Sequence, residues 1–311
     1  MLIKPGNLRL LSKLGDNIVR LSRYILTLKN GDRLMPKGEL ATVFKSGIGT
    51  IQTSLQNLEE IKAIQLESKG HLGTFLKDIN KALLWEYSQY DYVCGTMALP
   101  YNKLLMGLAT AIYTCFEESN IPLRISYCGG SEPRVQDVLK DKDDFAICSL
   151  FAAENAIKEF DELEIFCVLN KKSYIGNSVF ISKKYTELKD NMNVGIDTLS
   201  YDHELLTKLA CKNINVNFIR LKYNEIFRKL EEGIIDCTIW SLDEIEEENL
   251  KYNVFHAHNV KKSDIEKVGR AAIIVKKSNY EKMNAIREIF NIYKINEIQN
   301  KILEDKIIPK Y

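Results

Sequence analysis

The stretch SGIGTIQTSLQNLEE, residues 46–60, decides how the N-terminal part of the chain folds. Ile51, Leu55 and Leu58 recur at i, i+4 and i+7, so they share one face of a helix. Gln52, Thr53 and Gln56 fall on another face, and their side chains can hydrogen-bond base edges or phosphates. The helix opens on two glycines and contains no basic residue. The pattern leaves two interpretations open, a DNA-reading helix or the surface of an ordinary globular domain.

Length and composition set the broad class. The chain has 311 residues, enough for two or three domains, and its 45% hydrophobic and 27% charged residues are typical of globular proteins. We predict no signal peptide, because the N-terminus has no apolar region of 7–15 residues. We predict no membrane partner, because no stretch approaches the roughly 20 apolar residues of a membrane helix. The seven cysteines are scattered without a C-x-x-C pair and mostly lie among apolar residues. They indicate reduced, buried thiols in a cytoplasmic protein.

Charge is distributed unevenly along the chain. Residues 1–80 hold 12 Lys and Arg against 7 Asp and Glu, a net +5, whereas the remainder holds 31 against 35, a net −4. The N-terminal segment is therefore the part of the chain whose charge favours binding to a polyanion such as DNA. A chance fluctuation in a short segment is the alternative.

The helices and strands predicted before and after residues 46–60 follow one another in the order of a known type of domain. Periodicity predicts a first helix over about 17–29, and Pro36 can open a second, with Leu40, Val43 and Phe44 as core contacts. After residues 46–60 come two β-prone runs, AIQLE and TFL, separated by the turn SKGHLG. Three helices followed by a two-stranded ribbon make a winged helix-turn-helix.

The same residues carry a family resemblance. GDRLMPKGELATVFKSGIGTIQTSLQNLEE, followed by GHLGTFL, resembles the DNA-binding domain of GntR-type transcription regulators. The matching positions are Gly31, Asp32, Leu34, Glu39, Leu40, Ala41, Thr50, Leu55, Leu58, Gly73, Thr74 and Phe75. Two departures stand out: Gly47-Ile48 replaces the usual Ser-Arg, and Leu72 adds a residue to the wing. With these departures and the domain that follows, the chain is similar to the YhfZ family, in which such a helix-turn-helix precedes a domain like a solute-binding protein.

The resemblance implies a set of DNA contacts. Glycines at a helix N-terminus let backbone N–H groups approach phosphate without an arginine. Ile48 could touch a thymine methyl or cap the core, and we favour the core. For each polar residue an ordinary solvated surface is the alternative. The expected contacts lie at the helix starts, along residues 46–60 and on the wing tip: Lys37, Lys45, Gly47, Gly49, Thr50, Gln52, Thr53, Gln56, Lys69 and His71.

The C-terminal part alternates strands and helices, which indicates an α/β sheet, largely parallel. We expect a winged helix-turn-helix domain over 1–80, a linker helix over 81–91 and an effector domain over 92–311. The order of motifs resembles the type 2 periplasmic-binding-protein fold. That resemblance implies two lobes, with lobe two at about 177–256 and the last residues returning to lobe one.

Polar residues follow the ends of the predicted strands, where such a fold has its ligand cleft. Helix N-termini with small and hydroxyl residues favour a carboxylate or phosphate, so we expect a small anionic effector. Ordinary caps and turns are the alternative for each residue. The candidates are Tyr101, Asn102, Gly130, Ser131, Ser149, Asn177, Ser178, Asp197, Ser200 and Trp240.

Motifs of catalysis are missing from the sequence, which has no P-loop, G-x-S-x-G, H-E-x-x-H or G-x-G-x-x-G pattern. His256 and His258 form one H-x-H, which is weak evidence for a metal, and the acidic run at 243–248 is typical of a solvated helix face. We therefore expect no catalytic residue, cofactor or metal. The sequence favours a cytoplasmic, homodimeric transcription regulator whose partners are a double-stranded DNA operator and a small effector. An enzyme with an attached DNA-binding domain and a ligand-free interaction scaffold are the alternatives.

Overall fold

Three helices and a short antiparallel ribbon form the N-terminal domain. The computed structural model describes residues 12–247, 251–256 and 259–311. The first elements are α1 (Lys13–Leu26), α2 (Lys37–Phe44), α3 (Ile48–Glu60), β1 (Ile64–Ser68) and β2 (Thr74–Ile79). A 3₁₀ turn at Gly70–Leu72 joins the strands, and Arg33 bridges to Phe75 beside them. This order is that of a winged helix.

The predicted apolar face of α3 forms the core of this domain. Ile51, Leu55 and Leu58 are buried against α1, where Leu21 and Ile25 are also buried. Two expectations about apolar residues are wrong. Val43 is 59% exposed and Ile48 is 57% exposed, so neither is a core contact. Leu40 of α2 and the buried residues Ile51, Leu55 and Leu58 of α3 already fill the core on the inner sides of these helices. The side chains of Val43 and Ile48 therefore lie on the outer surface.

The turn between α2 and α3 is held by α1. Lys45 adopts a left-handed conformation with φ of 52°, and the N–H of Ser46 bonds to the carbonyl of Ala41. Asn17 of α1 donates its amide to Ser46 Oγ at 2.7 Å, and Arg20 donates to the Phe44 carbonyl at 3.3 Å. These contacts fix the direction in which α3 leaves the turn.

The rest of the chain builds two five-stranded sheets. The first has the order β4-β3-β5-β12-β6 and the second the order β11-β7-β10-β8-β9. We call the part around the first sheet lobe one and the part around the second lobe two. The strands are β3 (Val93–Met97), β4 (Leu123–Tyr127), β5 (Phe145–Ser149), β6 (Leu163–Val168), β7 (Ser178–Ser182), β8 (Asn193–Ile196), β9 (Asn217–Arg220), β10 (Cys237–Ser241), β11 (Asn253–Phe255) and β12 (Ala271–Lys276).

Helices lie between these strands in chain order. The helices that follow β5, β11 and β12 were not predicted from the sequence. The remaining helices are α4 (Lys81–Tyr87), α5 (Lys103–Ser119), α6 (Ser131–Leu139), α7 (Leu150–Glu159), α8 (Tyr201–Ala210), α9 (Ile226–Glu231), α10 (Leu242–Glu247), α11 (Lys262–Val268), α12 (Tyr280–Ala285) and α13 (Ile292–Leu303).

Both sheets are of mixed orientation, so the expectation of a largely parallel sheet is corrected. Strand β3 pairs parallel with β5, and β8 pairs parallel with β9 and β10. Strand β12 runs antiparallel to β5 and β6, and β7 runs antiparallel to β10 and β11. The antiparallel strands β7 and β12 follow the two segments in which the chain passes between lobes, so each enters its sheet from the side opposite to a strand delivered by a βαβ crossover.

The chain divides into two compact units whose boundaries cut across this order. One contains the described residues up to Val93 with Phe116–Leu123 and Ser278–Ile289, and the other contains the remainder. Within the first unit, α1 packs against α4 and α12. Arg23 donates to the Ser88 carbonyl at 2.8 Å, and Glu288 pairs with Lys29 and Lys81. The winged helix is therefore tied by polar contacts to a segment from the far end of the chain.

Candidate DNA interface and ligand cleft

The N-terminus of α3 presents free backbone N–H groups. Gly47 is its N-cap with extended backbone, no side chain caps the helix, and its first turn contains no acidic residue. Gly47, Ile48 and Gly49 are exposed, and a Cβ added at Gly49 would meet nothing within 4 Å. A helix N-terminus with these properties is suited to a phosphate oxygen.

The predicted DNA contacts fall on the outside of the winged helix. Gln52 and Gln56 are exposed one turn apart on α3, and Thr50 is half-buried. Thr53 is exposed, but its hydroxyl donates to the Gly49 carbonyl at 3.0 Å. Lys37 lies at the start of α2, and Lys45 lies in the turn before α3, both exposed.

The wing tip is less free than the sequence implied. Lys69 pairs with Glu67 at 3.1 Å and lies 4.9 Å from the centre of the Phe75 ring. His71 is exposed in the 3₁₀ turn at the tip. Val43 and Ile48 add exposed apolar side chains to the surface of α2 and α3. This surface therefore offers amide N–H groups, glutamine amides and aliphatic groups, which are the chemical types that read phosphate, base edges and thymine methyls.

A buried carboxylate of lobe two, that of Asp202, accepts a hydrogen bond from lobe one at the start of α7. Ser149 ends β5 and is the N-cap of α7, where its Oγ accepts from the Ala152 N–H at 2.9 Å. The same hydroxyl donates to Asp202 Oδ1 at 2.6 Å, and Ser149 is fully buried. Burial raises the pKa of Asp202 to about 6, although the Ser149 hydrogen bond and the nearby Arg134 act to lower it.

A second carboxylate of lobe two, that of Glu244, makes a similar contact with lobe one at the start of α5. Asn102 accepts the Leu105 N–H at 2.9 Å with its Oδ1, which caps α5, and donates its amide to Glu244 Oε1 at 2.9 Å. Tyr223 donates its hydroxyl to the other oxygen of Glu244 at 2.8 Å. The expectation that this acidic run is only a solvated helix face is wrong for Glu244. The side chains of Asp243, Glu246 and Glu247, and all of Glu248, lie outside the described residues.

An aromatic stack accompanies this second contact. Tyr101 of lobe one stacks on Tyr223 of lobe two, with ring centres 5.4 Å apart and planes 17° apart. Tyr223 stacks in turn on Trp240 at 4.3 Å, and Phe227 meets Trp240 edge-on at 4.5 Å. Tyr101 remains 48% exposed at the open end of the stack.

Arg134 is a buried cation at the lobe boundary. It lies on α6, is 3% exposed, and donates to the Cys128 carbonyl at 2.6 Å and to the Tyr174 hydroxyl at 2.9 Å. Its Nε is buried and has no hydrogen-bond partner among the described residues. Trp240 Nε1 and Ser241 Oγ, at the end of β10, are buried and unpartnered in the same sense. Buried polar groups are normally satisfied, so these atoms mark a boundary that is incompletely matched.

The predicted cleft residues lie close together, but most of them bond or touch other parts of the chain. Ser131 Oγ accepts the Tyr201 N–H at 3.2 Å, and a Cβ added at Gly130 would collide with the Leu199 carbonyl of lobe two. Asp197 and Ser200 serve the start of α8, where they accept backbone N–H groups of Leu199 and His203. The lobes are therefore in contact, and these four residues bond or touch other parts of the chain instead of facing an open cleft.

Two predicted residues lie elsewhere. Asn177 is exposed and lines a cavity of about 760 Å³ beside the segment that enters lobe two. Ser178 is half-buried in the ladder between β7 and β10, opposite Ser241. The cavity has three lysines and three asparagines in its wall, and Lys171 there pairs with Glu266 at 3.1 Å.

Sequence reasoning missed the residues that carry charge at the boundary, Arg134, Asp202 and Glu244. One signal was present for Arg134. It lies four residues before Val138 and next to Val135, on the apolar face of α6, where a solvated arginine is not expected. Asp202 and Glu244 gave no such signal, because each lies among other polar residues in the sequence.

His203 is a buried residue of lobe two. Its Nδ1 accepts the Asp197 N–H at 3.1 Å, and its Nε2 lies 3.0 Å from the Ile239 carbonyl, to which it donates as the neutral Nε2–H tautomer. Burial lowers its pKa to about 4. Both ring nitrogens are occupied by backbone groups, so the imidazole has a packing role.

The described residues contain no group of three or more His, Cys, Asp and Glu placed to hold a metal ion. His256 is exposed, while His258 of the same H-x-H lies outside the described residues. Within the described part of the chain, no helix is both long and apolar enough to cross a membrane.

Comparison with known proteins identifies both parts of the chain. The YhfZ C-terminal domain matches residues 80–311, and a helix-turn-helix domain matches residues 29–76. The Escherichia coli (strain K12) protein described as uncharacterized protein YhfZ is 32% identical over 233 residues, covering 75% of this chain and 76% of that protein.

Solved structures show the same fold. The crystal structure of YhfZ from Shigella flexneri matches with a TM-score of 0.63 and 24% identity, covering 75% of this chain and 98% of that one. An ancestral arginine-binding protein bound to arginine matches with a TM-score of 0.51 and 15% identity, covering 70% and 98%. The aliphatic sulphonate binding protein SsuA from Escherichia coli gives 0.51 and 11%, covering 70% and 75%. The predicted α/β fold, a helix-turn-helix followed by a binding-protein-like domain, is confirmed.

Proposed function

The chain belongs to the YhfZ family, and on this premise we propose that it is a transcriptional regulator. Its helix-turn-helix and binding-protein-like domains support a DNA-binding protein with a ligand-binding domain. We propose further that the N-terminal domain is a winged helix of the GntR type that reads a double-stranded operator as a homodimer, in the cytoplasm where the DNA is. The exposed face of α3 is the observation that carries this proposal.

The chemistry of α3 supports a reader without the usual arginine. Gly47 and Gly49 leave the helix N-terminus open to a phosphate, and Gln52 and Gln56 point outward one turn further on. Glutamine can bond adenine in a bidentate manner, and an exposed Ile48 can contact a thymine methyl. A single winged helix makes few such contacts, so specific binding calls for two copies on two half-sites.

The C-terminal domain is proposed to sense a small anionic metabolite between its lobes. Support comes from the capped helix N-termini at Ser149 and Asn102 and from the buried Arg134 with its unpartnered Nε. A non-catalytic role is part of the proposal, because both ring nitrogens of the buried His203 already bond backbone groups.

Binding to operator DNA at graded salt concentrations tests the DNA-binding part. A dimer with about 6–10 phosphate contacts should lose affinity with a log–log slope near −5 to −9. A slope near zero would refute the proposal. Operator fragments are to be selected from random DNA by the purified full chain, and a variant with Lys37 and Lys45 both changed to Glu provides the comparison, for which a shallower slope is expected.

A further inference from the structure

The start of α7 is a place in lobe one that already holds a carboxylate, and that carboxylate comes from lobe two. Asp202 belongs to α8, whereas Ser149 and the helix it caps belong to lobe one. Ser149 Oγ accepts from Ala152, so its hydrogen is directed to Asp202 Oδ1 at 2.6 Å. The carboxylate thus sits at the N-terminus of a ten-residue helix, where the helix dipole favours negative charge.

The same place contains an arginine, Arg134, whose hydrogen-bond donors are not all satisfied. Arg134 is 3% exposed and bonds only a carbonyl and a phenol hydroxyl, while its Nε has no partner among the described residues. No hydrogen bond between Arg134 and Asp202 is formed in the described structure, although the guanidinium is close enough to lower the pKa of Asp202. A buried guanidinium normally pairs with an anion, so Arg134 lacks the partner that its burial calls for.

We infer that Ser149, the N-terminus of α7 and Arg134 form a carboxylate-binding subsite, and that Asp202 occupies it until a carboxylic acid effector takes its place. The inference rests on the proposed function, since it names the chemical class of the effector. In this inference a free carboxylate bonds Ser149 as Asp202 does and, because it is not tethered to α8, also pairs with the guanidinium of Arg134, whose charge already acts on Asp202. Asp202, fixed on α8, reaches only Ser149.

Competition between Asp202 and the effector determines whether effector binding makes or breaks contacts between the two lobes. Asp202 holds lobe two against lobe one, so a ligand that displaces Asp202 breaks a contact between the lobes instead of adding one. The effector-bound state is therefore the one in which the Ser149–Asp202 contact is open.

Chemical rescue tests the subsite without knowledge of the effector. In Asp202→Ala the place of the carboxylate is empty, and sodium acetate should raise the Tm of the full chain by a few degrees in a saturable manner. Acetate should bind this variant at least about tenfold more tightly than the wild type, because no internal carboxylate competes. Acetamide, which has the same shape without the charge, should give no effect. Inorganic phosphate should give a smaller one than acetate.

Controls separate the subsite from a general salt effect. Asp236→Ala removes another lobe-two carboxylate, one that accepts the Asn193 N–H at 2.8 Å within lobe two, and should show no acetate-specific stabilisation. Adding Ser149→Ala or Arg134→Gln to Asp202→Ala should abolish the rescue. Should Asp202→Ala not fold, Asp202→Asn retains the shape and the Ser149 contact but lacks the charge, and it should bind acetate more tightly than the wild type.

An equal response to acetate and acetamide, or an equal response of Asp236→Ala, would overturn the inference. So would the absence of acetate binding by both Asp202 variants. Operator binding is measured in parallel to separate the two proposals. Rescue without any effect of carboxylates on operator affinity would leave the subsite standing and remove the regulatory role. An effector of another chemical class that changes operator affinity would do the reverse.

Discussion

His203 shows how a single buried side chain makes the stability of lobe two depend on pH. Its pKa falls from the ordinary 6.5 to about 4, because burial disfavours the charged imidazole. Between these values the unfolded chain binds a proton that the folded chain does not bind. Stability therefore falls as the pH is lowered through this window, by up to about 3 kcal/mol for this residue.

Replacing His203 by Gln should remove this part of the acid sensitivity. The free energy of unfolding, measured by urea titration at pH 7, 6, 5 and 4, should fall less steeply in His203→Gln than in the wild type. Asp202 acts with the opposite sign, since its pKa is raised from 3.8 to about 6 and its contribution is lost as pH rises through that range. Asp202 is present in both proteins, so the difference between them reports His203. Parallel pH profiles would contradict the prediction.

Ile48 is the residue whose placement the sequence did not decide. The i, i+4, i+7 pattern predicted that Ile51, Leu55 and Leu58 are buried, and they are. Ile48 is three residues before Ile51 and fits the same stripe, yet it is exposed because it is the first residue of α3 and lies beyond the end of the core. Periodicity gives the face of a helix but not where along that face the core ends.

Substitution of Ile48 should therefore affect DNA binding and not stability. Ile48→Ala is expected to change the free energy of unfolding by less than about 0.5 kcal/mol, as for other surface substitutions. Ile51→Ala, at a fully buried position, should cost about 2–5 kcal/mol. Operator affinity of Ile48→Ala should fall for sites that place a thymine opposite this side chain. A large loss of stability in Ile48→Ala, seen in urea titrations, would restore the core interpretation.

At the scale of the element, α3 combines two kinds of contact that mutation can separate. Gln52 and Gln56 are placed to read bases, whereas Lys45 lies in the turn before the helix, where phosphate is expected. Gln52→Ala with Gln56→Ala should weaken operator binding by about 1–3 kcal/mol per base-reading side chain, with a smaller effect on non-specific DNA. Lys45→Glu should weaken both.

Competition binding with operator and random-sequence duplexes at one salt concentration measures the two effects. Gln136→Ala, a change on α6 outside the winged helix, is the control and should behave as the wild type. Equal losses for both DNAs from the glutamine pair would mean that α3 does not read bases.

The sheets show which part of the fold the sequence could specify. Apolar runs such as FAICSL and SVFIS predicted strands that are present. Their direction was not encoded in those runs, because a buried strand has the same composition in either orientation. The antiparallel β7 and β12 follow from the two passages of the chain between lobes. Long-range connectivity of this kind leaves no local pattern, and the charged contacts Ser149–Asp202 and Asn102–Glu244 depend on it for the same reason.

At the scale of the whole molecule, the proposed regulator requires that effector binding and operator binding influence each other. The winged helix shares a compact unit with Ser278–Ile289, which directly follows β12 of the lobe-one sheet. Arg23, Lys29 and Lys81 make polar contacts within that unit, two of them to Glu288. The segment that packs with the DNA-binding domain in this unit is therefore covalently continuous with β12.

Thermodynamic linkage makes the influence reciprocal. If a carboxylic acid effector changes operator affinity by a given factor, saturating operator DNA must change effector affinity by the same factor, with about 5–150-fold as the usual range. The two factors are to be measured separately, by operator titration at fixed effector and by effector titration at fixed operator. Glu288→Gln, which weakens the pairing with Lys29 and Lys81, should reduce both factors together while leaving effector affinity in the absence of DNA unchanged. A factor near one in the unaltered chain would show that the two domains act independently, and unchanged coupling in Glu288→Gln would place the connection elsewhere.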